Sequence, residues 1–401
     1  MRDETEATGG TPAPAVGRAV LLLGIAAFAT VATMRVADPL IPQVAAEFEV
    51  GAGDAAVISS AFTIAYAIGQ FVYGPLGDRF GKLRLIAWMT VISGFTVAAA
   101  GLAGSLQSLG LLRLIGGATA AAIVPLGMAF IGDHVDYQHR QTMLARMMSG
   151  TIAGVILGQV FGGLIGEHFG WRAVFPMLGL VFLAIGALLF REHASKSLPP
   201  PKLSPAISIS SLIQGYAGLL RLPWARVILV TVFIEGFLFY GAFTFIGADL
   251  HQRFALDYGT VGLFLCFMGL GGLAYILSVR RLVKRLGERG LAAIGGLLVA
   301  IGLGSLPIAP LVLVPIGQFL LGLGLYMLHN TLQTNATQMA PDARGLAVST
   351  FANALFLGQA AGIAASGILV DRYGFAPSYL IAAVGLFLLG LTFSRLLDRR
   401  P

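Results

Sequence analysis

The stretch "GTIAGVILGQVFGGLIG" (150–166) carries glycine at 150, 154, 158, 162 and 166. Residues four apart lie along one ridge of an α-helix, and each glycine costs about 1 kcal/mol of helix propensity relative to alanine. In water such a ridge gains little. In a bilayer, glycine lets two backbones approach closely, and packing of that kind drives helix association. The stretch therefore predicts a transmembrane helix with a tightly packed partner.

Composition extends that reading to the whole chain. Of 401 residues, 57% are hydrophobic and 11% charged, and 53 are glycine. Soluble domains carry about 25% charge, whereas glycine is frequent in transmembrane helices. A polytopic all-α membrane protein is expected, with the lipid bilayer as its partner. The net charge of +7 follows from basic loops, so nucleic acid is not expected as a partner. The single cysteine, Cys266, lies in an apolar run and reads as a small core residue. Residues 1–17 are polar and do not resemble a cleavable signal peptide.

A span needs about 20 apolar residues. Twelve candidates begin near residues 19, 57, 83, 108, 147, 173, 226, 259, 290, 311, 346 and 377, and only "PIAPLVLVP" (307–315) separates the ninth from the tenth. With both termini cytoplasmic, 21 of the 26 Lys and Arg fall in cytoplasmic segments. Arg172, Arg253 and Arg372 then lie outside, and Arg35 and Arg113 within spans. The positive-inside rule favours that orientation.

The charged, proline-rich "REHASKSLPPPKLSPAISISS" (191–211), followed by a short amphipathic stretch, divides the spans into six and six. The expected organisation is an N-terminal tail (1–18), a six-helix domain (19–190), a cytoplasmic linker (191–225), a second six-helix domain (226–396) and a C-terminal tail (397–401). A repeat supports two pseudo-symmetric halves. "LGQVFG" (157–162) in the fifth span recurs as "LGQAAG" (357–362) in the eleventh, each followed by an aromatic–glycine pair, Phe169-Gly170 and Tyr373-Gly374. "GPLGDRFGKLR" (74–84) likewise has a weak counterpart in "RRLVKRLGERG" (280–290). Internal repeats of this kind characterise secondary transporters.

"GPLGDRFGKLR" resembles the signature of the major facilitator superfamily, with Gly74, Leu76, Asp78, Arg79, Gly81, Lys82 and Arg84 in its pattern. Three further stretches resemble its drug:proton antiporter branch. "RLIGGATAAA" (113–122) is similar to the helix-4 motif with Arg113 in the arginine position, and "DPLIP" (38–42) to the helix-1 motif. "GVILGQVFGG" (154–163) is similar to the helix-5 antiporter motif, but Gln159 stands where that motif has proline. The resemblance implies two halves that alternate access to a central cavity, a proton gradient as energy source with no cofactor or metal, and a bacterial-type inner membrane. A protein of this kind is expected to work as a monomer.

The resemblance also suggests a partner for the glycine ridge. In that fold the fifth helix meets the eighth across the cavity, and the eighth carries Gly262, Gly269, Gly271 and Gly272. Gly150, Gly154, Gly158, Gly162 and Gly166 are thus expected to form the sliding contact between halves. The alternative is packing against a neighbour within their own half. By resemblance, Asp78 caps the start of helix 11 at "PDARGLAVS" (341–349) and latches the outward-facing state, with Asp133 a partner for Arg79 or Arg84.

Ionisable residues inside a bilayer are costly and are functional candidates by default. Glu235 lies about 14 Å into the seventh span, near its middle, in the apolar setting "VTVFIEGFLFYGAFTFIG". A carboxyl there is a candidate proton carrier; the structural alternative is a permanently protonated, hydrogen-bonded acid. Arg35 and Asp38, spaced i to i+3, share one helix face. They read either as a local ion pair or as a protonation site, which the resemblance favours. By resemblance Arg113 takes part in proton transfer or holds a nearby carboxylate, with Asp38 a plausible partner; the alternative is snorkelling to the outer interface.

Phe233, Phe237 and Tyr240 on the seventh span, Tyr66 and Gln70 on the second, Tyr326 and Asn330 on the tenth, and Asn353 and Phe356 on the eleventh are expected to line the cavity. An aromatic lining with a few amides suits amphipathic organic substrates. His329 is a titratable neighbour, although a lone histidine is more often structural. There is no HExxH, CxxC or clustered histidine, and Leu76 occupies the first glycine position of a phosphate loop ending in Gly81-Lys82, so no enzyme is expected. Proton-coupled uptake, uncoupled diffusion and a transporter-like receptor remain alternatives to export.

Overall fold

The computed structural model describes residues 14–195 and 209–400; residues 1–13 of the expected N-terminal tail, 196–208 of the expected linker and residue 401 lie outside the described residues. Among the described residues the chain is all-helical, and eleven helical segments are long and apolar enough to cross a membrane. One of them, Tyr258–Ser305, has 48 residues. At 1.5 Å per residue it would be roughly 70 Å long, more than twice a bilayer core. It breaks at Gly287, whose φ of 62° lies in the region that favours glycine. The twelve spans are therefore α1 (Pro14–Glu47), α2 (Ala52–Phe80), α3 (Lys82–Ala100), α4 (Leu106–His134), α5 (Gln138–Phe169), α6 (Trp171–Ala194), α7 (Pro223–Phe254), α8 (258–286), α9 (288–305), α10 (Leu311–Ala336), α11 (Arg344–Tyr373) and α12 (Phe375–Leu396).

Backbone conformation repeats between the halves. Gly81 (φ 88°) joins α2 to α3 as Gly287 joins α8 to α9, and Gly170 (φ 77°) joins α5 to α6 as Gly374 (φ 78°) joins α11 to α12. Two non-glycine residues with positive φ, Glu49 and Ala255, follow α1 and α7. Each pair sits six helices apart. Two pseudo-symmetric halves result, each with its own buried cluster: Leu23, Phe62, Phe130 and Phe175 in the first, Phe239, Phe243, Leu303 and Tyr379 in the second.

The glycine ridge corrects its expected reading. A β-carbon at Gly150 would collide with the Gly24 carbonyl, and one at Gly158 would lie 2.8 Å from the Ala32 Cα. Gly154 faces Phe28 and Ala32, Gly162 faces Val36 and Gly166 faces Leu40. All five glycines pack on α1, inside their own half, and form no sliding contact. The contact with α8 uses the next face of the same helix. There Gly163 abuts the Tyr258 carbonyl and Gly262, and Ile156 abuts Gly269. Four-residue spacing specifies a close approach but not which neighbour makes it.

The two ends of the bundle differ. The distal end, opposite the basic loops, closes on two seams: α5 against α8, and the start of α2 against α11, where Gly53 and Gly367 are in backbone contact. Toward the basic end Gly74 and Gly345 have open space around them. A helix at Ile209–Arg221 lies between the halves there, with the Tyr216 ring 5.3 Å from Phe71 of α2 and Gly215 next to Leu346 of α11.

Candidate transport site

Three groups of polar side chains occupy the bundle interior. The first lies where α1 breaks. A 3-10 turn at Asp38–Leu40, with Pro39 inside it, interrupts the helix directly after Arg35. Arg35 Nη1 stands 3.6 Å from Asp38 Oδ2, with side-chain exposures of 6% and 1%, so the pair is out of solvent. Ser59 Oγ donates to Asp38 Oδ1 at 3.4 Å. The Arg35 guanidinium also lies over the Tyr240 ring of α7, 4.4 Å from its centroid. One residue thus joins an acid in the first half to an aromatic in the second, a cation–π contact worth roughly 2 kcal/mol when desolvated.

Arg113 is 1% exposed and does not reach the interface, so snorkelling is ruled out. Its Nε donates to the Ile58 carbonyl at 2.6 Å and Nη2 to the Thr33 carbonyl at 3.0 Å, and its guanidinium stacks over Phe62 at 4.4 Å. Asp38 is not among its hydrogen-bond partners; backbone carbonyls of α1 and α2 take that place. Gly117, set against the Phe62 carbonyl, brings α4 close enough for this reach.

The second group is Glu235 with His329. Glu235 is fully buried in α7, and His329 Nδ1 lies 2.8 Å from its Oε2. The His329 side chain keeps 22% exposure, so the imidazole is more accessible than the acid it contacts. Glu235 Oε1 has no partner among the described residues. A buried carboxylate oxygen left unpaired is costly. His329 is thus a partner of the acid rather than an isolated structural histidine, and the 94-residue separation left no trace of that in the sequence.

The third group holds the residues expected to line the cavity. Tyr66 of α2 and Phe356 of α11 meet edge to face at 4.9 Å, with Gln70 one turn beyond Tyr66. Phe233 and Phe237 stack at 6.4 Å, and Tyr240 continues their face toward Arg35. Tyr326 packs on Gly272 of α8, and Asn330 is half-buried one turn further along. Asn353 is buried with both amide atoms unpaired among the described residues. The repeat glutamines occupy the seams. Gln359 Nε2 donates to Thr63 Oγ1 across the halves at 3.5 Å, while both amide atoms of Gln159 are buried without a partner among the described residues. Few native buried amides stay unpaired.

At the basic end Lys82 joins two acids, Asp78 and Asp133, each at 2.7 Å. The expected pairing of Asp133 with Arg79 or Arg84 gives way to Lys82, which lies one turn after Asp78. Arg79 instead lies over the Phe80 ring at 5.3 Å. Asp78 therefore stays within its own half, and the α11 start at Ala343 has no side-chain cap.

Twelve spans in two pseudo-symmetric halves, buried polar side chains and close backbone contact between the halves at the distal end are the features of a polytopic membrane protein. The sequence model described as Major Facilitator Superfamily matches residues 23–342 and 252–401. The chain belongs to this superfamily and is a secondary transporter of small molecules rather than an enzyme. It is 27% identical over 90% of its length to the uncharacterized MFS-type transporter YwfA of Bacillus subtilis, of which 88% is covered. It is also 27% identical to the putative uncharacterized transporter YgaY of Escherichia coli, with 91% of this chain and 92% of that one covered. Among solved structures, a bacterial homolog of the human lysosomal transporter Spinster, inward-facing and unoccupied, superposes with a TM-score of 0.77 at 16% identity, covering 97% and 98% of the two chains. A D-xylose–proton symporter gives 0.74 at 17% identity, covering 95% and 96%.

Proposed function

We propose that this transporter exports small organic molecules in exchange for protons by alternating access, with both termini and the basic loops on the cytoplasmic side. The carrying observation is the buried Glu235–His329 pair, an acid whose side-chain neighbour is a partly exposed imidazole. Asp38, held by Arg35 and Ser59, is the second proton site. In this reading the chain is in an inward-facing state. External protons reach Asp38 or Glu235 in the opposite state, neutralise it and weaken substrate binding, and the loaded carrier returns inward.

The aromatic lining and few charges support amphipathic substrates. The experiment is accumulation of a panel of aromatic amphipathic compounds in cells making the transporter, with and without a protonophore. Lower accumulation that recovers when the proton gradient collapses supports export. Raised accumulation would mean uptake.

The same reading gives Asp78 two partners. It holds Lys82 here, and it caps the start of α11 when the cytoplasmic side closes. Asp78→Asn is expected to leave substrate affinity within about twofold and to slow turnover roughly tenfold, as loss of a charge-assisted cap allows. Equilibrium binding measured beside counterflow checks both halves of that expectation. Unchanged turnover would remove the latch.

A further inference from the structure

We infer that Glu167 and Asp371 form a pair of symmetry-related latches that hold the distal end of the transporter closed. Glu167 lies at the end of α5 and Asp371 at the end of α11, each three residues before a left-handed glycine, Gly170 and Gly374. Each carboxylate crosses to the other half and accepts from backbone N–H groups at a helix start. Glu167 Oε2 accepts from Tyr258 N at 2.8 Å, at the first turn of α8. Asp371 Oδ1 accepts from Gly53 N at 2.8 Å and Oδ2 from Asp54 N at 3.2 Å, at the start of α2.

The same architecture surrounds both. Beside Glu167, Gly163 and Gly262 bring α5 and α8 into backbone contact; beside Asp371, Gly367 and Gly53 do so for α11 and α2. Glycine permits the approach, and the acid meets N–H groups that a helix start leaves without intrahelical partners. All three bonds cross between halves, so none survives opening of the distal end. They stabilise the state seen here and leave the fold of each half untouched. Any occupant of the central cavity would feel this bias, because it sets how often the distal end opens.

The test is a distance measurement between nitroxides on Leu102→Cys and Ile308→Cys, exposed sites at the distal ends of the two halves, in a Cys266→Ser background in lipid nanodiscs. The parent is expected to show one dominant short distance. Glu167→Ala with Asp371→Ala is expected to raise the long-distance population about tenfold, and each single change less, as loss of charge-assisted hydrogen bonds would. Gly53→Leu, which forces a side chain onto the Gly367 carbonyl, should open the same distance and calibrates it. Should the alanine pair fail to fold, Glu167→Gln with Asp371→Asn reads the same population with the acceptors kept and the charge removed. An unchanged distribution in the carboxylate variants, with Gly53→Leu open, would overturn the latches.

Discussion

Glu235→Gln is expected to abolish compound-dependent proton movement and to lower coupled transport about a hundredfold, a loss of the size general acid–base groups give. The glutamine matches the carboxyl in shape and can still accept from His329, whose Nδ1 lies 2.8 Å from Oε2. Because the glutamine keeps the shape of the fully buried side chain and its contact with His329, the fold is expected to persist. What it removes is the capacity to exchange a proton. Dye-reported proton flux and substrate counterflow, measured on one preparation, separate the effects: counterflow needs no proton and should persist. Full proton flux in this variant would transfer the carrier role to Asp38.

The second large effect is on the fold. Gly150→Leu is expected to destabilise the protein by at least about 3 kcal/mol, the upper range for overpacking, because the added β-carbon collides with the backbone carbonyl of Gly24 and no rotamer relieves it. Thermal unfolding in detergent should show a large drop in Tm or loss of folded protein. Gly218→Ala is the control. No atom lies within 4 Å of a β-carbon there, and an exposed helical glycine replaced by alanine gains up to about 1 kcal/mol. Gly163→Leu sits one position from the ridge but on the seam with α8. It is expected to shift the halves apart rather than unfold either, so the two leucines differ in kind.

These cases show where the sequence was legible. Apolar runs predicted twelve spans, with the ninth beginning near residue 290; the 48-residue helix breaks close to that point, at Gly287, inside a basic stretch too polar to stay in a bilayer core. The Arg35–Asp38 pair was legible because both residues lie on one helix turn. Partners distant in sequence left no such mark. Glu235 with His329, and the carboxylates of Glu167 and Asp371 with the backbone of the opposite half, depend on helix packing that one sequence does not encode locally. Arg113 bonds to carbonyls, which every residue has. The ridge was misassigned because glycine spacing fixes a face, whereas the neighbour depends on helix rotation, and positions 162 and 163 on one helix face different partners.

The central claim, exchange of a compound for protons, is tested most directly in proteoliposomes with a pH dye in the lumen and a compound gradient across the membrane. The account predicts that adding the transported compound on one side moves protons toward that side, and that a reversed pH gradient reverses compound flow. Compound movement at full rate with no proton movement, in wild type and in every carboxylate variant, would contradict it.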